Sequence, residues 1–465
     1  MVARHSADDR HAESADGEPA IDDAPLPPGP DGYPIVGNTI PVVRDPFDFY
    51  ETIAEYGDVV RYEVAGRSFT ALLTPEHVER VLVEEPWRFE RWEFADVGLD
   101  FAPEGLLSSD REQWQGQRQL MQPMFTTDRI RSYADAMAGY ADRVADEWSD
   151  GQTLALDEAF SELTLAILSK TLFDLELDPT AADGAIPRAA RAINERTGPE
   201  RNLTMFVPDW VPTPGNRRYN RAMRDVDAVL GELIERRRSS DRDADDLLSL
   251  LLTATGPDGY ELSEAEIRDN LLTFMFAGHE TTALGLTYTI MLLATHDDVA
   301  ADLRAELDDV LDGETPGIEH VSQLERTERV IREALRLYPP VFILFRRATE
   351  DAVFDGYRVP EGTILTFPQF HVHTDDRFYD DPEAFRPDRW TDERAADRPE
   401  YAYFPFGGGP RHCIGMRFAT LELQLVVATL ARRFEFELLS DSDPEFAAGA
   451  TLRPAEPVRV RVHER

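Results

Sequence analysis

Residues 404–415 read FPFGGGPRHCIG and contain Cys413, the only cysteine in a chain of 465 residues. The run of glycines and proline makes a turn with almost no side chains, so that a bulky planar group could lie close against its backbone. After Gly415, the residues Phe418, Leu421, Leu425, Val426 and Leu430 form an amphipathic run with helical spacing. Cys413 is therefore predicted near a helix N-terminus, where unpaired N–H groups and the positive dipole end favour a thiolate over a thiol. Arg411 supplies a fixed cation two residues earlier. A lone cysteine is commonly a small buried hydrophobe, but this setting points to a metal ligand. A phosphate-cradling loop is the weaker reading, because GKS/T and GxGxxG spacings are both missing.

A thiolate beside a flat anionic cofactor suggests haem iron, since thiolate ligation favours O–O bond cleavage. At these residues the sequence resembles the cytochrome P-450 family of haem-thiolate monooxygenases. The family signature runs Phe, two residues, Gly, one, Arg, one, Cys, one, Gly, and Phe406, Gly409, Arg411, Cys413 and Gly415 meet every fixed position. The resemblance covers residues 25–463 and implies haem b, with Cys413 as the iron ligand and Phe406, Arg411 and Gly415 around the cofactor.

Composition narrows the setting. With 89 acidic residues against 48 basic ones the formal net charge is −41, and Lys170 is the only lysine. The acid is spread along the whole chain, which reads as a solvated coat adapted to molar salt, as in a soluble prokaryotic member from a halophile. Such a surface argues against nucleic-acid binding, which needs a basic face. One cysteine excludes an internal disulfide or a resident cysteine-ligated iron–sulfur cluster and fits a reducing cytoplasm. Residues 1–24 read as a disordered acidic tail with no apolar core for a signal peptide or membrane anchor. The proline-rich stretch after it resembles the hinge that follows the anchor in microsomal members. No linker divides residues 25–465, which read as one haem-binding domain.

Along the chain a helix is expected over 45–56, a hairpin from strands at 59–64 and 68–73, and an irregular aromatic segment over 87–107. Over 112–121, Trp114 and Arg118 lie four apart on one helix face; alone they would be a cation stacked on an indole. Residues 127–255 read as successive amphipathic helices, and 271–294 as a central buried helix whose polar centre argues against a membrane span. Glu333 and Arg336 sit one turn apart on a helix over 324–337. The β pieces are few and short, so the fold class is mainly α with small β-sheets.

The resemblance assigns further roles. Trp114 and Arg118 match residues that bind a haem propionate, and Arg346, preferred over Arg347, matches a contact to the second. Ala277–Thr282, AGHETT, is similar to the distal-helix motif, in which glycine lets the helix open beside a ligand and Thr281 with Glu280 relays protons to bound oxygen. Ala277 would lie against the haem. Thr281 bonding back to the preceding turn is the structural alternative. Glu333, Arg336 and Arg389 match a buried triad that holds the haem pocket. The haem would sit between the distal helix and the cysteine loop of a cytochrome P-450 fold. The implied activity inserts one atom of O2 into an apolar small molecule by hydroxylation or epoxidation, a fatty acid or terpenoid on the form of AGHETT. A separate donor, a ferredoxin, supplies electrons. The competing classes are a peroxide-using or isomerising haem-thiolate enzyme and a non-catalytic haem ligand-binding protein.

Overall fold

The computed structural model describes residues 21–92, 102–178, 184–186, 188–189, 192–193, 211, 213–239, 246–256 and 259–465. Phe94, Phe101, Met205, Phe206, Val207 and Trp210, and residues 1–20 of the acidic tail, lie outside the described residues. The longer helices among those described are α1 (Pro46–Ala54), α2 (Arg111–Met121), α3 (Ala134–Glu147), α4 (Leu156–Phe173), α5 (Pro214–Arg238), α6 (Glu264–Leu293), α7 (Asp297–Leu311), α8 (Glu325–Leu337) and α9 (Met416–Arg433). Their starts follow from side chains that accept the free N–H groups of a first turn. Asp45 accepts from Phe47 and Asp48 ahead of α1, with Pro46 in the first turn. Asp110 accepts from Gln113 ahead of α2. Ser263 and Glu266 form a reciprocal capping box at the start of α6.

At 30 residues, α6 is about 45 Å long and is the axis on which the other helices pack. It is an unbroken α-helix, so the opening expected at Gly278 does not form. The glycine serves packing instead, since a Cβ there would lie 2.3 Å from Leu168 Cδ1 on α4. Thr164 Oγ1 spans the same contact by donating to His279 O at 2.9 Å. Further along, a Cβ on Gly285 would lie 3.1 Å from Leu423 Cδ2 on α9 and 3.4 Å from Leu335 Cδ2 on α8. Three helices therefore meet where α6 has no side chain.

The largest sheet contains β1 (Val59–Val64), β2 (Arg67–Leu72), β3 (Phe89–Arg91), β4 (Ile343–Ala348) and β5 (Ile364–Pro368), in the order β1-β2-β5-β4-β3. Ala65 and Gly66, with φ of 51° and 77°, close the first hairpin in two residues, which moves the start of β2 to Arg67. β3 lies inside the stretch expected to be irregular. Its three residues pair with β4, so that Arg91 faces Arg346 and Glu90 faces Arg347. That partner lies far away in sequence and leaves no local periodicity. A hairpin of β6 (Phe446–Ala448) and β7 (Leu452–Pro454) packs near the chain end and was also not expected. The class is mainly helical with small sheets, as the sequence implies. No helix among the described residues is long and apolar enough to cross a membrane.

Candidate active site

The cysteine loop is held by its own backbone. Gly407 N–H donates to Phe404 O at 2.8 Å and Cys413 N–H to Phe406 O at 2.9 Å. Gly407 and Gly409 have φ of +71° and +63°, which favours glycine, and a Cβ on Gly409 would lie 1.7 Å from Leu82 O. A Cβ on Gly408 would lie 2.5 Å from the Tyr401 ring. The bare turn thus also fits the protein's own neighbouring segments. Gly415 caps α9, and Cys413 two residues before it is exposed. Desolvation by the surrounding protein pushes its pKa up, with the Gly415 N–H and Arg118 pulling the other way.

Arg118 on α2 reaches this loop. Its Nη1 donates to His412 O at 2.9 Å, its Nη2 meets His412 Nε2 at 3.1 Å and its Nε donates to Gln122 Oε1 at 3.1 Å. Two of its five N–H groups remain for another acceptor. The cation over the buried Trp114 indole is Arg411, at 4.7 Å, and not the i+4 neighbour Arg118. Arg411 also donates to Ser109 O at 3.2 Å.

Arg411, Arg346 and Arg91 lie within electrostatic reach of one another. The pKa of Arg346 is lowered to about 10 by burial and then by Arg91. That of Arg411 is lowered to about 10 by burial and then by Arg346 and Arg91. Among the described residues, neither Arg346 nor Arg411 has a carboxylate at ion-pair distance, whereas Arg347 pairs with Glu90 at 3.2 Å. All three clustered arginines line a cavity of about 180 Å³ that also touches Trp87, Ser109 and Pro410. Half-buried guanidiniums that repel one another favour an anion between them. Arg91 was missed because only the β3–β4 register brings it here. A larger, open groove of about 610 Å³, between Thr295 and the acidic segment around Glu437, includes none of these residues.

On α6, every residue from Asp269 to Leu293 is buried except Ala277, Gly278 and Thr281. These share one face in the middle of a buried helix, so accessible space lies beside them. Thr281 Oγ1 donates to Ala277 O at 2.8 Å, the back-bond weighed as the alternative. Glu280 is turned elsewhere. Its Oε1 accepts from Thr451 Oγ1 at 2.7 Å and from Arg453, through Nε at 2.6 Å and through Nη2. Its Oε2 is buried with no partner among the described residues. Thr451 and Arg453, on and beside β7, give no local signal in the sequence.

The triad forms as expected and is larger. Glu333 meets Arg336 at 2.8 Å and Arg389 at 2.7 Å, with both Glu333 and Arg336 fully buried. The Trp390 indole N–H adds a bond of 2.9 Å to Glu333. Arg336 Nη1 donates to His373 O at 2.9 Å, and His373 Nε2 accepts from Phe404 N–H, also at 2.9 Å. His373 therefore connects the triad to the first residue of the cysteine loop, a link hidden in the sequence because histidine has no diagnostic spacing here.

The family described as Cytochrome P450 matches residues 27–462. The cyclooctat-9-en-7-ol 5-monooxygenase of Streptomyces melanosporofaciens is 33% identical over 87% of this chain and 88% of its own. The pentalenene oxygenase of Streptomyces avermitilis is 33% identical over 94% of this chain and 97% of its own. A solved structure, the retinoic acid bound cyanobacterial CYP120A1, superposes with a TM-score of 0.84 at 26% identity, over 95% of this chain and all of that one. The chain belongs to the cytochrome P450 family. It is a haem b monooxygenase that uses O2, an apolar substrate and a separate redox partner.

Proposed function

We propose that Cys413 Sγ would ligate the haem iron and that Trp114, Arg118, Arg346 and Arg411, joined by Arg91, would hold the haem propionates. Phe406, Gly415 and Ala277 would also line the cofactor. The observations that carry this reading are the exposed Cys413 thiol and the half-buried Arg346 and Arg411, which have no carboxylate at ion-pair distance among the described residues. A planar dianion supplies both needs. Bound there, the haem supplies the iron at which O2 is activated. Thr281 and Glu280 are the proton-handling pair. Thr281 Oγ1 borders the accessible space and gives up one bond to Ala277 when it donates elsewhere. The test is the reduced, carbon-monoxide-bound spectrum. The band for which the family is named is expected in the parent protein and lost in Cys413→His, and a variant that keeps it refutes the ligand assignment.

A terpenoid substrate is favoured by relatives named for cyclooctat-9-en-7-ol and pentalenene and by a structural neighbour holding retinoic acid. The electron donor we infer is an acidic ferredoxin in the salt-rich cytoplasm of a halophile, because the net charge of −41 suits that solvent. Two acidic proteins repel at low ionic strength and are screened in about 1 M salt, where the Debye length is about 3 Å. Arg131 and Arg417 are exposed and offer a landing patch, whereas Arg129 is half-buried and bonded to Tyr133 at 2.9 Å. The electron-transfer rate from ferredoxin is expected to rise across a potassium chloride series. A rate that falls steadily while the protein stays folded means that attraction governs the encounter and refutes the repulsion.

A further inference from the structure

The hairpin β6–β7 is fixed to α6 by three consecutive residues. Thr451 Oγ1 donates to Glu280 Oε1 at 2.7 Å, Leu452 O accepts from Tyr288 Oη at 2.7 Å, and Arg453 donates to Glu280 Oε1. The Leu452 N–H is also used, by Pro340 O at 2.8 Å. An arginine fork commonly meets both oxygens of a carboxylate. Here both Arg453 donors and the Thr451 hydroxyl converge on one oxygen of Glu280, and the other stays buried without a partner among the described residues. The unused oxygen belongs to the residue immediately before Thr281, within a helix whose accessible stretch is Ala277, Gly278 and Thr281.

We propose that Thr451 and Arg453 are positioning residues that assign the two oxygens of Glu280 different tasks. Oε1 anchors the carboxylate to the hairpin, and Oε2 is the atom that takes and gives the proton exchanged with Thr281. The hairpin thereby sets how efficiently electrons reach product. This rests on the reading of Glu280 and Thr281 as the proton-handling pair. Oε1 has no lone pair to spare once three donors occupy it. A carboxylate freed of them could turn either oxygen, or neither, towards the hydroxyl.

The experiment uses the full-length holoenzyme with a surrogate electron donor and compares Thr451→Val, Arg453→Met, Arg453→Lys and Thr281→Ala. Thr451→Val keeps size and shape and serves if Arg453→Met fails to load haem. The expected result is a reduced carbon-monoxide band like that of the parent, KM within about twofold, and kcat for product lower by on the order of 10-fold, with hydrogen peroxide formed in its place. Arg453→Lys, which restores the cation, is expected to recover part of the coupling. Hydrogen–deuterium exchange of residues 446–454 is read on the same resting samples and is expected to quicken in Arg453→Met. If exchange quickens while coupling matches the parent, and Thr281→Ala alone uncouples, the hairpin is only a clasp and the proposal is overturned while the relay stands. If Thr281→Ala itself stays coupled, the relay reading falls and the proposal falls with it.

Discussion

Glu333 on α8 and Glu280 on α6 are both buried carboxylates that meet arginine, and their donors are distributed differently. At Glu333, Oε1 takes bonds from Arg336, Arg389 and the Arg386 N–H, and Oε2 from Arg336 and Trp390. At Glu280 every donor falls on Oε1. The cations differ too, since the Arg336 side chain is 0% exposed and that of Arg453 29%. A buried network with every lone pair and N–H used specifies one arrangement and resists change. A carboxylate with an idle oxygen keeps the capacity to exchange a proton. The Glu333 carboxylate follows the first pattern and the Glu280 carboxylate the second.

Breaking the saturated side is expected to have the largest effect. Glu333→Ala leaves Arg336 and Arg389 without their shared carboxylate, and losing one partner of a buried ion pair costs about 3–5 kcal/mol. Urea denaturation should register that loss, together with a reduced carbon-monoxide band that is absent or displaced. A variant as stable as the parent would remove the contrast between the two carboxylates.

The connection from the triad to the cysteine loop gives the next largest effect. His373→Leu leaves the Phe404 N–H without an acceptor, a cost of about 1–3 kcal/mol at neutral pH. The pKa of His373 is held down to about 3, by burial first and then by the Arg336 cation, against an ordinary 6.5. Between those values the unfolded chain binds a proton that the folded one does not. His373 therefore withdraws stability as pH falls from 6.5 towards 3. Leucine has no such proton, so the gap between variant and parent should narrow as pH is lowered from about 7.5 to about 5. Urea curves at the two pH values measure it, and a gap of constant size would deny His373 its neutral role.

The smallest effect sharpens the comparison from the other side. Glu280→Gln leaves Arg453 in contact with solvent, so stability should change by under about 1 kcal/mol, against several for Glu333→Ala. Parallel denaturation of the two variants tests the difference directly. Equal losses would show that exposure of the cation does not separate the sites.

The parts of this arrangement legible in the sequence are those whose chemistry sits at short spacing. The cysteine loop, the Glu333–Arg336 turn and the polar centre of α6 each announce themselves within about one turn of helix or one loop. Of the two arginines weighed at this strand, both line the cavity, and Arg347 is paired with Glu90. What the sequence hides depends on distant register. Arg91 matters because β3 pairs with β4, and Arg453 because a hairpin of three-residue strands folds back on α6. The Arg411–Trp114 stack is hidden for the same reason, since local spacing suggested Arg118 as the partner of the indole.

Gly285 has a bearing on how such a chain can diverge. Where α6, α8 and α9 meet, the nearest groups to a Cβ would be Leu423 and Leu335, at 3.1 and 3.4 Å. One added methyl would press at once on the helix that carries Thr281, the helix that carries the triad and the helix that follows Cys413. Overpacking a close-packed interior costs about 1–3 kcal/mol, and here the displacement would be shared by both sides of the reaction centre. A substitution at Gly285 would therefore act on three helices together, whereas one in the walls of the substrate space would act on its own surroundings.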